Sequence, residues 1–221
     1  MKLLLTSGGI SNKSIRNALV DMLDKPIEES NALCIPTAVH AIPGGAWNAW
    51  KFLNGKSGAP MCEVGWKSMG VLELTALPSL PKEHWVPMVK EIDVLLVDGG
   101  DPLYLNYWMK QSGLAELLPS LSSVYVGLSA GSMVMAPNIG EFFVNWTPPN
   151  DDGDKTLNLV GFAMFPHLEH EMLPYNTMAN AEKWAAKMQG PAYAMDDQTA
   201  IKVIDGEVEV VSEGQWKLFS P

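Results

Sequence analysis

The chain has 221 residues, 47% of them hydrophobic, which is enough apolar material for one domain with a sizeable core. Its formal net charge of −10 argues against nucleic acid as a partner, because Arg16 is the only arginine and no basic patch can be assembled. No apolar run reaches the roughly 18 residues that a membrane-spanning helix needs, so no membrane partner is expected.

The first residues, Met1-Lys-Leu-Leu-Leu5, imitate the start of a secretory signal, but the run stops at Thr6-Ser7-Gly8-Gly9, too short for its apolar segment. A cytoplasmic protein is therefore expected. Cys34 and Cys62 stand in apolar surroundings without Cys-x-x-Cys spacing, which predicts buried free thiols and fits a reducing compartment. Residues 2–6, 32–36, 71–74, 94–97 and 124–128 read as buried strands. Between them residues 12–23, 81–91 and 102–118 read as helices, the last broken near Gly113. This alternation predicts an α/β fold: a mainly parallel sheet sandwiched by helices. Such sheets bind ligands beyond the carboxyl ends of their strands. Ser7-Gly8-Gly9, Pro36-Thr37, Asp98-Gly99-Gly100-Asp101 and Ser129 all fall at that edge.

Past Ser129 the pattern changes. Residues 141–146 and 157–165 read as strands, separated by a polar loop over 147–155 whose composition predicts a turn or flap. A helix follows, capped by Asn176 or Thr177, with Ala181, Trp184, Ala185 and Met188 on one face, and Gly190-Pro191 stops it. Residues 192–195 read as a strand, and 200–204 with 207–211 as a C-terminal β-hairpin turned at Asp205-Gly206. With no repeat, low-complexity tract or linker, residues 1–221 are expected to form a single α/β domain.

The chemistry centres on Val124-Tyr-Val-Gly-Leu-Ser129-Ala-Gly-Ser-Met133. An apolar strand that reverses sharply into a helix strains the corner residue and requires small neighbours two positions away, here Gly127 and Gly131. Such a nucleophile elbow lifts the Ser129 hydroxyl above the sheet and aims the Ala130 N–H at the same spot, as half of an oxyanion hole. A serine needs a base, and the chain offers four histidines. His84 lies in a charged helix start and reads as exposed; His40 follows a strand at the functional edge; His170 sits in a polar turn among carboxylates. His167 follows the apolar run Phe162-Ala-Met-Phe-Pro166, so it stands at a strand exit, either as the base or as a structural cap. The acid that orients it is sought in Asp196 and Asp197, which close another strand. Asp101 before Pro102 reads as a helix N-cap, and Gly99-Gly100 as a tight turn that could supply a second oxyanion N–H. The run His167-x-Glu169-His170-Glu171 lacks the i, i+4 pair of a zinc helix, and neither a metal nor a cofactor is expected.

Taken in order, Gly-Gly-Asp, Gly-Leu-Ser-Ala-Gly-Ser, Phe-Pro-His and Asp-Asp-Gln-Thr-Ala-Ile resemble the peptidase E and cyanophycinase family of serine peptidases, S51, over most of the chain. The resemblance implies an α/β sandwich with a Ser-His-acid triad in that chain order. Carried over by position, the nucleophile is Ser129, the base His167, and the acid Asp197, where many relatives have glutamate; Ala130 and Gly100 supply the oxyanion hole. It also implies removal of an N-terminal aspartate from dipeptides, a task for a basic clamp. The segment after His167 carries Lys183 and Lys187 but no arginine, so the preferred side chain stays open. Ser132-Met133 also stands where peptidase E has Ala-Asn. The expected function is a serine peptidase acting on short peptides, dipeptidase- or aminopeptidase-like. The alternatives are a catalytically silent relative that binds a peptide or small ligand, and an esterase or amidase. A short peptide is the expected partner. Trp47 and Trp50 line either a pocket or the interface of a homodimer.

Overall fold

The computed structural model describes residues 1–149 and 153–220. Its strands are β1 (Lys2–Thr6), β2 (Asn31–Ile35), β3 (Ser68–Val71), β4 (Val94–Val97), β5 (Val124–Leu128), β6 (Ala163–Phe165), β7 (Ala192–Met195), β8 (Thr199–Ile204), β9 (Glu207–Ser212) and β10 (Trp216–Phe219). The helices that matter below are α1 (Lys13–Leu23), α2 (Gly45–Leu53), α3 (Val86–Glu91), α4 (Pro102–Ser112), α5 (Leu114–Leu117), α6 (Ala130–Met133) and α7 (Met178–Ala185). The main sheet has seven strands in the order β3-β2-β4-β5-β1-β8-β9. Its first five are parallel, and the antiparallel hairpin β8-β9 extends it beyond β1. A second sheet, β10-β7-β6, stands apart from it.

Alternation along the strands builds two cores. Leu3, Leu5, Leu33, Ile35, Leu95 and Val97 face one side, against Val89 of α3 and Leu105 and Met109 of α4. Leu4, Cys34, Leu96 and Val126 face the other, against Ile15, Leu19 and Met22 of α1. Those α1 positions recur at helical spacing, so one stripe is buried and the rest is wet. The helix starts where the Asn12 side chain accepts the Ile15 N–H at 2.9 Å and stops at Asp24, in a left-handed conformation with φ 58°. Each fully buried Leu or Ile contributes about 1.5–3 kcal/mol. A third cluster joins Ala163, Phe165 and Ala194 of the small sheet to Ala181 and Trp184 of α7.

Register places the functional edge. Thr6 lies opposite Leu128, Gly127 opposite Val97, and Val97 opposite Ile35, so Ser7, Asp98 and Ser129 emerge side by side. Thr6 ties the row together: its carbonyl accepts the Ser129 N–H at 3.0 Å and the Ser132 hydroxyl at 2.8 Å, and its own hydroxyl donates to Gly127 O at 2.7 Å.

Several elements differ from the sequence reading. β3 spans Ser68–Val71 rather than 71–74: the buried Leu72 and Leu74 belong to the segment that leaves the sheet edge, not to the edge strand. Residues 81–91 split into a 3₁₀ turn, Lys82–His84, and α3, with Pro87 in the first turn of the latter. The strand expected at 141–146 is a 3₁₀ turn, Glu141–Phe143, entered through Gly140 at φ 75° and held by Phe143 against Phe165 and Trp184. Of the strand expected at 157–165 only Ala163–Phe165 pairs, because the Leu157, Leu159 and Val160 N–H groups bond instead to Val134 and Met135 carbonyls. In the loop at 147–155, residues 150–152 lie outside the described residues. Helix α2 and strand β10 were not anticipated. The hairpin turn at Asp205-Gly206 is formed, with φ 50° and 90°. Among the described residues no helix is long and apolar enough to cross a membrane.

Candidate active site

Ser129 is the corner between β5 and α6, with φ 50° and ψ −109°, a conformation that costs a non-glycine residue on the order of 1–3 kcal/mol. The surroundings leave no alternative. A Cβ on Gly127 would stand 2.5 Å from Gly131 O, and one on Gly131 would run into Val97 O. The buried Tyr125 hydroxyl donates to Gly131 O at 2.6 Å and fixes the turn from below.

Opposite the corner lies the glycine pair. Gly100 has φ 131°, and a Cβ there would run into the Ala38 carbonyl. The Gly99 N–H is already taken by Asp98 Oδ1 at 2.8 Å. The Gly100 and Ala130 N–H groups have no hydrogen-bond partner among the described residues. Asp98 is 4% exposed, and burial pushes its carboxyl up to about 8 against the Gly99 hydrogen bond, which pulls it down. Asp101 caps α4, accepting the Leu103 and Tyr104 N–H groups at 2.9 Å each and, with its other oxygen, the Trp146 N–H at 3.0 Å.

His167 leaves β6 with φ 56°, its backbone N–H donating to Ser7 Oγ at 2.7 Å. The Asn176 side chain holds the preceding turn through Pro166 O at 3.0 Å. The His167 ring Nδ1 lies 2.6 Å from Asp197 Oδ1. Asp197 therefore meets the imidazole and Asp196 does not. The Asp196 carboxylate turns the other way, onto the Gln198 and Gln215 N–H groups and the Thr199 hydroxyl. Burial raises the Asp197 carboxyl, but the His167 hydrogen bond and charge, the Ser7 hydroxyl and the charge of His170 outweigh it, and the net shift is downward. With Asp197 ionised, the hydrogen bond places a ring proton on Nδ1, facing the carboxylate.

Ser129, His167, Asp98, Gly99 and Gly100 line one cavity of about 260 Å3. A larger depression of about 790 Å3, beside Asn138 and Asp154, has neither serine nor histidine on its wall. The other histidines lie elsewhere or act otherwise. His40 pairs with Glu73 at 3.3 Å, and His84 is exposed in its 3₁₀ turn. His170, read from sequence as one more exposed histidine, sits with Nε2 3.5 Å from Asp197 Oδ2. Lys183 and Lys187 border a different hollow with Trp184, and Lys187 pairs with Glu141 at 2.9 Å.

Sequence reasoning missed Ser7 as a contact of both His167 and Asp197, His170 as a neighbour of the acid, and Lys51, which α2 brings to the cavity wall. The glycines at 8 and 9 were the available signal for the first. A Cβ on Gly8 would stand 2.5 Å from Asp197 Cβ, so the loop can pass the acid only as glycine. Among the described residues there is no group of three or more His, Cys, Asp or Glu side chains placed to hold a metal ion.

Peptidase family S51 is matched over residues 3–211, and the chain belongs to that family. An uncharacterized peptidase of Listeria monocytogenes serovar 1/2a (strain ATCC BAA-679 / EGD-e) is 28% identical over 131 residues, which are 54% of this chain and only 60% of that relative's length. The crystal structure of a provisional peptidase E from Listeria monocytogenes EGD-e has the same fold, with a TM-score of 0.63 at 21% identity, covering 96% of this chain and 98% of the other. So has that of a peptidase from an acI-B1 Actinobacterium, with a TM-score of 0.67 at 17% identity, covering 99% and 93%.

Proposed function

We propose that the chain is a serine peptidase that hydrolyses short peptides through an acyl-enzyme. The observation that carries this reading is that Ser129, strained at the corner, shares a cavity with a His167 ring whose far nitrogen is 2.6 Å from Asp197. His167 Nε2 takes the Ser129 proton as Oγ attacks the scissile carbonyl. The Gly100 and Ala130 N–H groups, free of other partners among the described residues, hold the oxyanion. Imidazolium formed in this step is stabilised by the ionised Asp197, and it then protonates the leaving amine. Water repeats the cycle on the ester. Family membership supports the reaction class, and the small cavity suits a dipeptide or the first residues of a short peptide.

One observation favours the silent, ligand-binding alternative: the Ser129 hydroxyl makes no hydrogen bond among the described residues, to His167 or any other group. Catalytic hydrogen bonds often tighten only once substrate is bound, so labelling and turnover decide. A peptide library digested by the purified protein and read by mass spectrometry should show cleavage near the N-terminus. In Ser129→Ala, turnover should fall by a factor on the order of 10⁶, and fluorophosphonate labelling should vanish. Turnover within tenfold of the parent would sink the proposal.

A further inference from the structure

The Gly100 N–H can face Ser129 only while the turn behind it keeps its place. That turn is the 3₁₀ segment Thr37–Ala41, which follows β2. Gly100 lies so close to it that a Cβ would run into the Ala38 carbonyl and stand 2.5 Å from the Val39 nitrogen. The Asp101 N–H ties the next residue to the same Ala38 carbonyl at 3.0 Å, and Val39 lines the Ser129 cavity. A 3₁₀ turn of five residues has poorer hydrogen-bond geometry than an α-helix and fixes its own position weakly, so outside contacts must hold it.

Glu73, in the segment that leaves β3, supplies those contacts. Its Oε1 accepts the hydroxyl of the fully buried Thr37 at 2.9 Å, and its Oε2 lies 3.3 Å from His40 Nε2. The Thr75 N–H and hydroxyl also donate to Oε1, at 3.2 and 3.0 Å, and fix the carboxylate on its own loop. The Thr37 oxygen accepts the Leu74 N–H at 3.1 Å in return. One carboxylate thus grips the first and fourth residues of the turn, and the second and third are those that Gly100 lies against. Glu73, Thr37 and His40 are themselves absent from the cavity wall.

We propose that Glu73 is a positioning residue for the oxyanion hole: through Thr37 and His40 it fixes the 37–41 turn against which the Gly100 N–H is set. The inference rests on the peptidase reading above. Because Glu73 acts on a donor that meets charge only as the oxyanion develops, its loss is felt in the transition state and not in substrate binding. Removing an oxyanion donor outright costs about 10²–10³ in kcat, and a misplacement of about 1 Å can cost about 10². With the Ala130 N–H still in place, the expected loss on freeing the turn is roughly ten- to a hundredfold.

The test measures kcat and KM on the best-cleaved peptide of the library digest, the rate of fluorophosphonate labelling at Ser129, and the melting temperature. In Glu73→Ala, kcat and the labelling rate should fall together by that factor, with KM within about twofold of wild type. Glu73→Gln keeps an acceptor for the Thr37 hydroxyl and should recover most of the loss. Thr37→Val, which cuts the link from the other end, should reproduce the Glu73→Ala kinetics, and Thr37→Ser should restore them. The double variant Glu73→Ala with Thr37→Val should be little worse than either single one, as for two parts of one network. If Glu73→Ala does not fold, Thr37→Val against Thr37→Ser carries the same comparison. A lowered melting temperature with kcat and the labelling rate within about twofold of wild type overturns the inference and leaves Glu73 a purely structural residue. A rise in KM at unchanged kcat overturns it too, since that is lost substrate binding. Either result leaves the peptidase reading intact. If the wild type cleaves none of the peptides and takes no fluorophosphonate at Ser129, both readings fall together.

Discussion

Ser7 and Asp197 are joined by a 2.9 Å hydrogen bond across 190 residues of sequence, and the same Ser7 oxygen accepts the His167 backbone N–H at 2.7 Å. One hydroxyl at the end of β1 thus holds both the acid and the strand exit that carries the imidazole. Its own proton faces Asp197 Oδ1 at 2.9 Å, with Met195 O farther off at 3.3 Å, and the shorter bond helps to keep Asp197 ionised. Replacing Ser7 by Ala removes a donor from the carboxylate and leaves the His167 N–H without its acceptor, a loss of roughly 1–3 kcal/mol in stability. Because Ser7 works through His167 and Asp197, the expected kinetic loss, about tenfold, falls on kcat with KM nearly unchanged. Ser7→Thr, which keeps the hydroxyl, should recover most of it. A rise in KM alone would place Ser7 in substrate binding instead.

The two adjacent acids should separate cleanly. Asp197→Asn presents an amide to His167 Nδ1 and favours the wrong tautomer, so kcat should fall by a factor on the order of 10⁴. Asp196→Asn disturbs only the hydrogen bonds that tie the β7 exit to Gln198, Thr199 and Gln215, and should cost stability, about 1–3 kcal/mol, with kcat within a few fold. Acid denaturation offers a second readout. The folded carboxyl of Asp197 is depressed, so its contribution is present above the unfolded value near about 4 and is lost as pH falls through the folded one. The stability gap between wild type and Asp197→Asn should therefore close on acidification below about pH 4.

Most of the main sheet was legible because its strands are continuous apolar runs ended by glycine, serine or proline, and burial on both faces leaves such runs few alternatives. Ser129 could be read for a related reason: Gly127 and Gly131 are required by backbone close approach, a demand visible in sequence. The segment from 137 to 165 was not legible. Its apolar residues bond by backbone to the irregular turn after α6, a long-range relation without local period. Helix α2 was hidden by the glycines at its start and by two tryptophans on its wet side, which blur the stripe made by Ala49 and Phe52. The cost of missing it was Lys51. Only Lys183 and Lys187 could be weighed from sequence, and both lie at another hollow.

Asp98 should make the fold sensitive to alkali. Its carboxyl is raised by burial to about 8, so between about pH 4 and 8 the folded state holds a proton that the unfolded state has released. Stability then falls as pH rises through that window and levels off above it. Asn at this position keeps an acceptor for the Gly99 N–H without a charge to bury. Asp98→Asn should therefore melt higher than wild type at pH 8, by a few degrees for each kcal/mol recovered, and the difference should shrink toward pH 4. A difference independent of pH would show that the carboxyl stays ionised throughout.

Cys34 and Cys62 stand with their sulfur atoms 3.3 Å apart, both buried, one in β2 and the other beyond the loop that carries Ser57 and Ala59 to the cavity wall. The hydrogen bond with Cys34, then burial, raises the Cys62 thiol far above its ordinary value. It therefore stays neutral in the folded protein at a pH where an unfolded thiol, near about 8.5, has ionised. The folded state then binds more protons than the unfolded one, and stability must fall with rising pH, by about 1.4 kcal/mol per pH unit for one thiol. Urea unfolding of wild type and Cys62→Ala between pH 8 and 10 isolates this slope, since every other titrating group is common to both. The variant starts lower, having lost buried volume, and should decline less steeply. Parallel declines would mean that Cys62 ionises in place, and rapid alkylation of the native protein by iodoacetamide would say the same.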